Sequence, residues 1–329
     1  AGRFKRVNQR AVDLWMTGTS QVKECDPVFD YLYDNELLGP VEYRRRFQMA
    51  IEAREFQLAK WLAKKIDKQH VDAAALWMRA QSNPEQFLAR HDPAKDNAMS
   101  REQLVYAAER LTYRDPESAL RLWNTVESQY GFSEEQKLQT RRHIALWTAR
   151  DNLPDGHRLL AELPQAAQDD EVLRWRARTS LRDSKWQRLL VDIAAMTPAE
   201  RDTEEWRYWR AIALLRTGQT LAANTALDAI SKERSYYGFL AADELGKDYA
   251  LDHERLAVDE IALIEIAARP DVIRARELFL VGLESRGRSE WDAAISELNE
   301  EEKLQAAILA HRWGWHSRAI ATASSLGQY

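Results

Sequence analysis

WRYWRAIALLRTGQTLAANTALDAI runs from Trp206 to Ile230. Trp209, Ala213 and Leu215 come before Gly218, and Ala222, Leu227 and Ile230 come after it. Apolar residues recur on both sides with the period of a helix, not of a strand. Gly218 has no Cβ and permits a tight reversal, and the small Ala222 lets the two helices approach closely. The stretch therefore reads as a helical hairpin. RELFLVGLESRGRSEWDAAISEL (Arg276 to Leu298) has the same plan: Leu278, Leu280 and Leu283 precede Gly287, and Trp291, Ala294 and Leu298 follow. EKLQAAILAHRWGWHSRAIATASSL is a third version around Gly314.

Further reversals are expected at Thr17-Gly18, near Arg54-Glu55, at Asn83-Pro84, at Asp115-Pro116, from Asp151 to Pro154, at Arg182-Asp183 and at Gly246. Their separation averages roughly 33 residues, the range of helix-pair repeats, with wide scatter. A helix pair with one apolar face cannot bury it alone, and stacking on the next pair does so. The fold class expected is all-α, an α-solenoid of helix-pair repeats, curved or ring-forming, with a concave face as the default place for a partner. Pro154, Pro164, Pro198 and Pro270 fit helix starts or linkers, where a missing N–H costs little. Gly246 to Val272 breaks the rhythm and suggests a connector before a shorter helical unit.

Composition agrees. Only 12 glycines and 9 prolines interrupt 329 residues rich in strong helix formers, and period-two runs of Val, Ile and Thr are missing. A net charge of -5 provides no basic stripe for nucleic acid. No apolar run approaches the length of a membrane span. Twelve tryptophans either pack helix pairs or, for some of them, line a surface that stacks on sugar or peptide. Cys25 is the single cysteine and cannot close a disulfide within the chain.

Chemistry-bearing patterns are few. His70, His91, His143, His157, His253, His311 and His316 show no i, i+4 pair of the H-E-x-x-H kind, and no Cys/His cluster exists. No phosphate loop or nucleophile elbow occurs. Asp26 beside Cys25 would raise the thiol pKa. Asp169 to Glu171, Glu204-Glu205 and Glu300 to Glu302 sit at expected helix starts, where negative charge suits the dipole. No catalytic, cofactor-binding or metal-binding residue is assigned.

KERSYYGFLAADELG (Lys232 to Gly246) carries the most distinctive words. Ser235 can cap a helix and Gly246 can end it in the left-handed conformation. Tyr237, Leu240, Ala241 and Leu245 then share one face, and Gly238 and Ala242 allow close approach on the next. Preceded by Trp206, Arg207, Tyr208, Trp209 and Ala211, and carrying Arg234, Tyr236, Tyr237, Ala241, Ala242, Leu245 and Gly246, this region resembles the soluble lytic murein transglycosylases. LWMTGTSQVKECDPVFDYL (Leu14 to Leu32) and RARELFLVGLESRGRSEW (Arg274 to Trp291) are similar to two further segments of that family, in the family's order.

The resemblance implies a right-handed superhelix, the U-type domain, expected over residues 1–246 and shortened at its amino end. A connector over 247–258 and a helical linker, or L-type, domain over 259–329 complete it. It implies a periplasmic protein acting on peptidoglycan. The family's E-S-x-[FW]-x-P, G-L-M-Q and A-Y-N-A-G-P marks do not occur, and Glu117-Ser118, Glu127-Ser128 and Glu284-Ser285 lack the context. The catalytic glutamate is thus expected outside this chain. Family members often pair the cysteine corresponding to Cys25 with one further upstream, which would leave Cys25 a free thiol here. The expected partners are glycan strands and the catalytic domain, with no cofactor, no nucleic acid and no membrane span. The alternative is a tetratricopeptide-like adaptor for a protein or peptide, without enzymatic role.

Overall fold

A computed structural model describes residues 2–251 and 257–326. It is 74% helical, with no strand among the described residues. The chain divides into two compact units that part between Ala250 and Leu251. Residues 252–256 of the expected connector lie outside the described residues.

The first unit opens with α1 (Gly2–Trp15) and α2 (Asp26–Asp34). Pairs then follow: α3 (Pro40–Glu52) with α4 (Phe56–Ala63), α5 (Lys68–Ser82) with α6 (Pro84–Ala89), and α7 (Ala98–Thr112) with α8 (Pro116–Glu127). Next come α9 (Glu134–Arg150) with α10 (Gly156–Ala161) and α11 (Asp170–Arg182) with α12 (Trp186–Ala194). The one-turn α13 (Pro198–Arg201) leads into α14 (Glu204–Arg216), paired with α15 (Thr220–Ile230), and α16 (Tyr236–Leu245) packs on both. The long members α5, α7, α9 and α11 touch in sequence, so each pair stacks on the next as the solenoid reading requires. The core is correspondingly a series of small clusters. Trp15, Leu32 and Leu62 centre the first, Trp77, Trp123 and Ile144 the second, and Trp206 with Leu189 and Ile193 a later one.

One turn geometry recurs. Arg54, Ser184, Gly218, Gly282 and Gly314 all have positive φ, between 54° and 82°. Each lies two residues past a helix end. The next residue's N–H then reaches back to a carbonyl of the last turn: Glu55 to Ala50, Lys185 to Ser180, Gln219 to Leu214, Leu283 to Leu278 and Trp315 to Ala310, all at 2.8–2.9 Å. This is the left-handed helix stop, which satisfies orphan carbonyls and sets the reversal.

The second unit contains α17 (Glu260–Ala267), α18 (Pro270–Leu280) with α19 (Glu284–Ser296), and α20 (Glu300–Arg312) with α21 (His316–Ser324). Val272, Trp291, Ala306 and Trp315 form its own core. Here the sequence reading is corrected at one hairpin. The reversal lies at Gly282, and Gly287 sits inside α19. Gly287 is buried, and a Cβ there would press at 3.1 Å on the carbonyl oxygen of Ala275 across the pair. Its missing side chain permits helix approach, not reversal. Trp291, Ala294 and Leu298 are buried as expected, whereas Leu280 and Leu283 are exposed.

The helix read from Lys232 to Gly246 forms with the caps and the apolar face expected. Ser235 Oγ accepts from the Gly238 N–H at 3.1 Å, and Gly246 ends α16 at φ 62°. Tyr237, Leu240, Ala241 and Leu245 all join one cluster with Tyr208 and Leu227.

Candidate functional site

The sequence assigned no site, but stacking of the repeats brings side chains together that are distant in the chain. Two arrangements stand out in the first unit.

The first is a row of aromatic rings and guanidinium groups that starts at the α3–α4 turn and runs along α7, α9, α11 and α14. Arg54 lies over the Tyr106 ring at 5.1 Å and pairs with Glu109 at 3.2 Å. Tyr113 meets His143 and Trp147 edge-on, at 5.2 and 4.8 Å between ring centres. Arg150 lies between Trp147 and Trp175, at 5.3 and 5.6 Å. Arg178 lies between Trp175 and the buried Trp206, at 5.3 and 6.0 Å. Arg150 and Arg178 each cover an aromatic face of the next repeat and Arg54 one of the repeat after next, an attraction worth about 0.5–1 kcal/mol apiece at partly exposed positions. Carboxylates lace the same row. Arg142 reaches Asp169 and Glu171 at 2.7 and 2.6 Å, and Arg150 reaches Glu171 at 2.7 Å.

Tyr113, Arg142, His143, Trp147, Arg150 and Glu171 line an open cleft of 410 Å³. Burial lowers the His143 pKa, more than the neighbouring Glu109 raises it, and keeps the ring neutral near pH 7. The cleft offers ring edges and part-exposed guanidinium groups held in place by carboxylates. That suits a polyhydroxylated or carboxylated chain laid along the surface. It does not pair a nucleophile with a base.

The second arrangement is buried. Asp192 on α12 is fully enclosed. His157 Nε2 and Ser180 Oγ both meet its Oδ2, at 2.9 and 2.7 Å, and Arg176 Nη2 lies 2.6 Å from its Oδ1. Burial pushes the Asp192 carboxyl up, but these three partners outweigh it and hold it below the ordinary carboxylate range. Serine, histidine and aspartate converge, yet not as a nucleophilic triad. A triad places the imidazole between hydroxyl and carboxylate. Here the carboxylate stands between the other two, so Ser180 has no base. Arg176 also donates to Gln168 Oε1 at 3.0 Å, and Gln168 Nε2 donates to the carbonyls of Leu160 and Leu163 at 2.9 Å each. The network ties α10, α11 and α12 together.

The residues weighed in the sequence fall as follows. His70 sits 2.8 Å from its own helix cap Asp67, and His91 contacts Leu88 O and Gln129 Oε1 at 2.6 Å each. His311 and His316 face each other across a turn, Nδ1 to Nδ1 at 3.2 Å. His253 lies outside the described residues. Among the described residues no group of three or more His, Cys, Asp or Glu could hold a metal ion. Cys25 is half-buried against the first core cluster. Glu117 and Glu284 are exposed in first helical turns, and Glu127 is buried and pairs with Arg141. The acidic clusters occupy helix starts as expected, and Asp169 caps α11. Sequence reasoning missed that Asp169 and Glu171 also clamp Arg142. It missed the ladder too, although W-x-x-R recurs at Trp147–Arg150 and Trp175–Arg178, and residues three apart share a helix face.

Residues 265–328 match a family model described as the soluble lytic murein transglycosylase L domain. The soluble lytic murein transglycosylase of Salmonella typhimurium is 26% identical over 97% of this chain and 49% of its own length. That of Escherichia coli K12 is 25% identical, also over 97% of this chain and 49% of its own length. An inactive mutant of the lytic transglycosylase Slt from Pseudomonas aeruginosa is similar in structure, with a TM-score of 0.77 at 27% identity over 99% of this chain and 53% of that one. The 70-kDa soluble lytic transglycosylase solved with bulgecin A has a TM-score of 0.74 at 23% identity over the same shares, which shows a common fold. The chain spans about half the length of the curated relatives it matches. The resemblance read from its helical words is borne out: the similarity runs along essentially the whole chain.

Proposed function

We propose, from this likeness to soluble lytic murein transglycosylases, that the chain is the non-catalytic helical portion of such an enzyme. Residues 1–246 are its superhelical U-type domain, 247–258 a connector and 259–329 its linker domain. The whole enzyme works in the periplasm on peptidoglycan. It cleaves the β-1,4 bond between N-acetylmuramic acid and N-acetylglucosamine. One glutamate first protonates the leaving oxygen. It then takes the proton from the muramyl C6 hydroxyl as that oxygen attacks C1, which gives a 1,6-anhydro product. The portion described here docks the catalytic domain and positions or restricts the glycan strand.

The observation that carries this reading is the match over 97% of the chain to one half of its relatives. The row from Tyr113 to Arg178 supports the positioning role. It exposes guanidinium donors along stacked repeats, where a carboxylated glycopeptide could be held without being cut.

Purified sacculi test it directly. Incubation with the chain should release no anhydromuropeptides detectable by mass spectrometry, and the chain should sediment with sacculi saturably. Release of anhydro products would overturn the non-catalytic assignment. Failure to bind sacculi, together with capture of one stoichiometric protein from a soluble extract, would favour the adaptor reading instead.

A further inference from the structure

Trp61 on α4 is the one tryptophan of twelve that the fold leaves exposed, at 40%. An indole is a large apolar area to leave in water, so its surroundings matter. It forms a wall of an open cleft of 590 Å³ shared with Tyr33, Tyr43, Glu36 and Lys65. Tyr33 meets the Trp61 ring edge-on at 6.1 Å, and Lys65 Nζ lies 5.9 Å from the ring centre.

The two tyrosines are held from behind. The buried Trp15 donates its Nε1–H to Tyr33 Oη at 2.9 Å and packs edge-on against Tyr43 at 5.4 Å. Burial, and then Tyr33, push the Tyr43 phenol above its ordinary pKa, so it stays a neutral donor. Glu36 stands at the cleft with φ 51°, a left-handed conformation that a non-glycine residue adopts only at a cost, and the Leu37 N–H closes that turn on Leu32 O at 3.0 Å. The walls are thus pre-set: aromatic rings and the leucines Leu32 and Leu38, with one carboxylate and one ammonium. A sugar ring, with an apolar face and polar substituents around its edge, matches aromatic walls that carry both a carboxylate and an ammonium.

We propose that the cleft is a subsite for an N-acetylated amino sugar of a glycan strand, stacked on Trp61 with its edge groups toward Glu36, Lys65 and Tyr43. This rests on the glycan-positioning reading above and extends it to a specific site in the first hairpins. Stacking supplies orientation and modest affinity, as rigid aromatic contacts do at low entropic cost.

The test uses chitotetraose, a peptide-free oligomer of N-acetylglucosamine, titrated into the whole chain and followed by calorimetry and by indole N–H resonances. The Trp61 resonance should shift saturably. Trp61→Ala should weaken binding by about tenfold or more, and Trp61→Phe by less. Far-UV circular dichroism should stay unchanged and the melting temperature should fall only modestly, and least in Trp61→Phe, because the side chain is part-exposed on the surface of α4. No shift of the Trp61 resonance at saturating sugar, or equal binding by Trp61→Ala, would overturn the subsite. So would a sugar-free stem peptide that binds with the same Trp61 dependence. Sacculus sedimentation separates the two readings: retention that ignores Trp61→Ala sinks the cleft alone, while loss of retention in the parent chain sinks the positioning role.

Discussion

The backbone around Gly238 leaves no room for a methyl group. A Cβ there would lie 1.9 Å from the carbonyl oxygen of Glu233 and 3.2 Å from that of Ile230. Gly238→Ala should therefore force α16 away from α15 and cost about 3 kcal/mol, the upper range for overpacking, measured by urea denaturation. A loss below about 0.5 kcal/mol would mean that the seam can open without penalty. Asp192 makes the opposite kind of contribution, through charge. Its folded pKa lies below the unfolded value of about 3.9, so the stability it contributes is present above about pH 4 and is lost as pH falls through the folded pKa. Asp192→Ala should cost about 3 kcal/mol at pH 7, because Arg176 and His157 are left without their anion. The gap from the parent should narrow below about pH 4, and an equal gap at both pH values would rule out the charge as the cause. The two residues differ in how far the sequence announced them. Ser235, Gly238 and Gly246 lie within one helix and its caps, so local rules suffice. Asp192 meets Ser180 and His157 from 12 and 35 positions away, and only the stacking of repeats brings them together.

Among the elements, the repeated helix stop is the unit that makes a hairpin. Where it uses glycine, the reversal was readable, as at Gly218 and Gly314. At Ser184 and Arg54 the same conformation is imposed on residues with a Cβ. Ser184 is exposed with φ 54°, so Ser184→Gly relieves that strain at no cost in packing. It should stabilise by about 0.5–1 kcal/mol, less what glycine loses in the unfolded chain. Gly218→Ala should destabilise by about 1 kcal/mol at φ 82°, although no neighbour would meet the new methyl within 4 Å. Urea midpoints with unchanged m-values check both, and a destabilised Ser184→Gly would show that the turn does not carry strain. Arg54 is not an equivalent test, because its guanidinium also covers Tyr106 and pairs with Glu109. The misplaced turn at Gly287 has a physical origin of the same kind. Glycine serves reversal and close approach equally well, and the leucines around Gly282 and Gly287 do not distinguish them. Leu280 and Leu283 flank the real turn and remain exposed.

Across the whole molecule, stability is distributed along the chain because each cluster is confined to a run of consecutive hairpins. The all-α class and the hairpin order were legible for this reason: each repeat declares itself over some thirty residues. Which side chains meet between repeats was not legible, because degenerate repeats fix their stacking geometrically. The second unit permits a decisive test of this modular view. All twelve residues of its buried cluster, Leu263 to Trp315, belong to that unit. Trp291 donates to Thr322 Oγ1 at 3.1 Å, and Asp259 caps α17 through the N–H groups of Ile261 and Ala262. A fragment spanning residues 257–326 should therefore fold alone. About 70 residues around one core predict a marginal stability of roughly 3–5 kcal/mol, with a cooperative urea transition. Trp291 and Trp315 should give it near-ultraviolet circular dichroism, because both are packed and fixed. In the intact chain the same transition should appear separately from that of residues 1–250 when followed by hydrogen exchange on α18 and α19. A fragment without a cooperative transition, or one whose α18 and α19 amides exchange at unfolded rates, would mean that this core depends on the preceding hairpins.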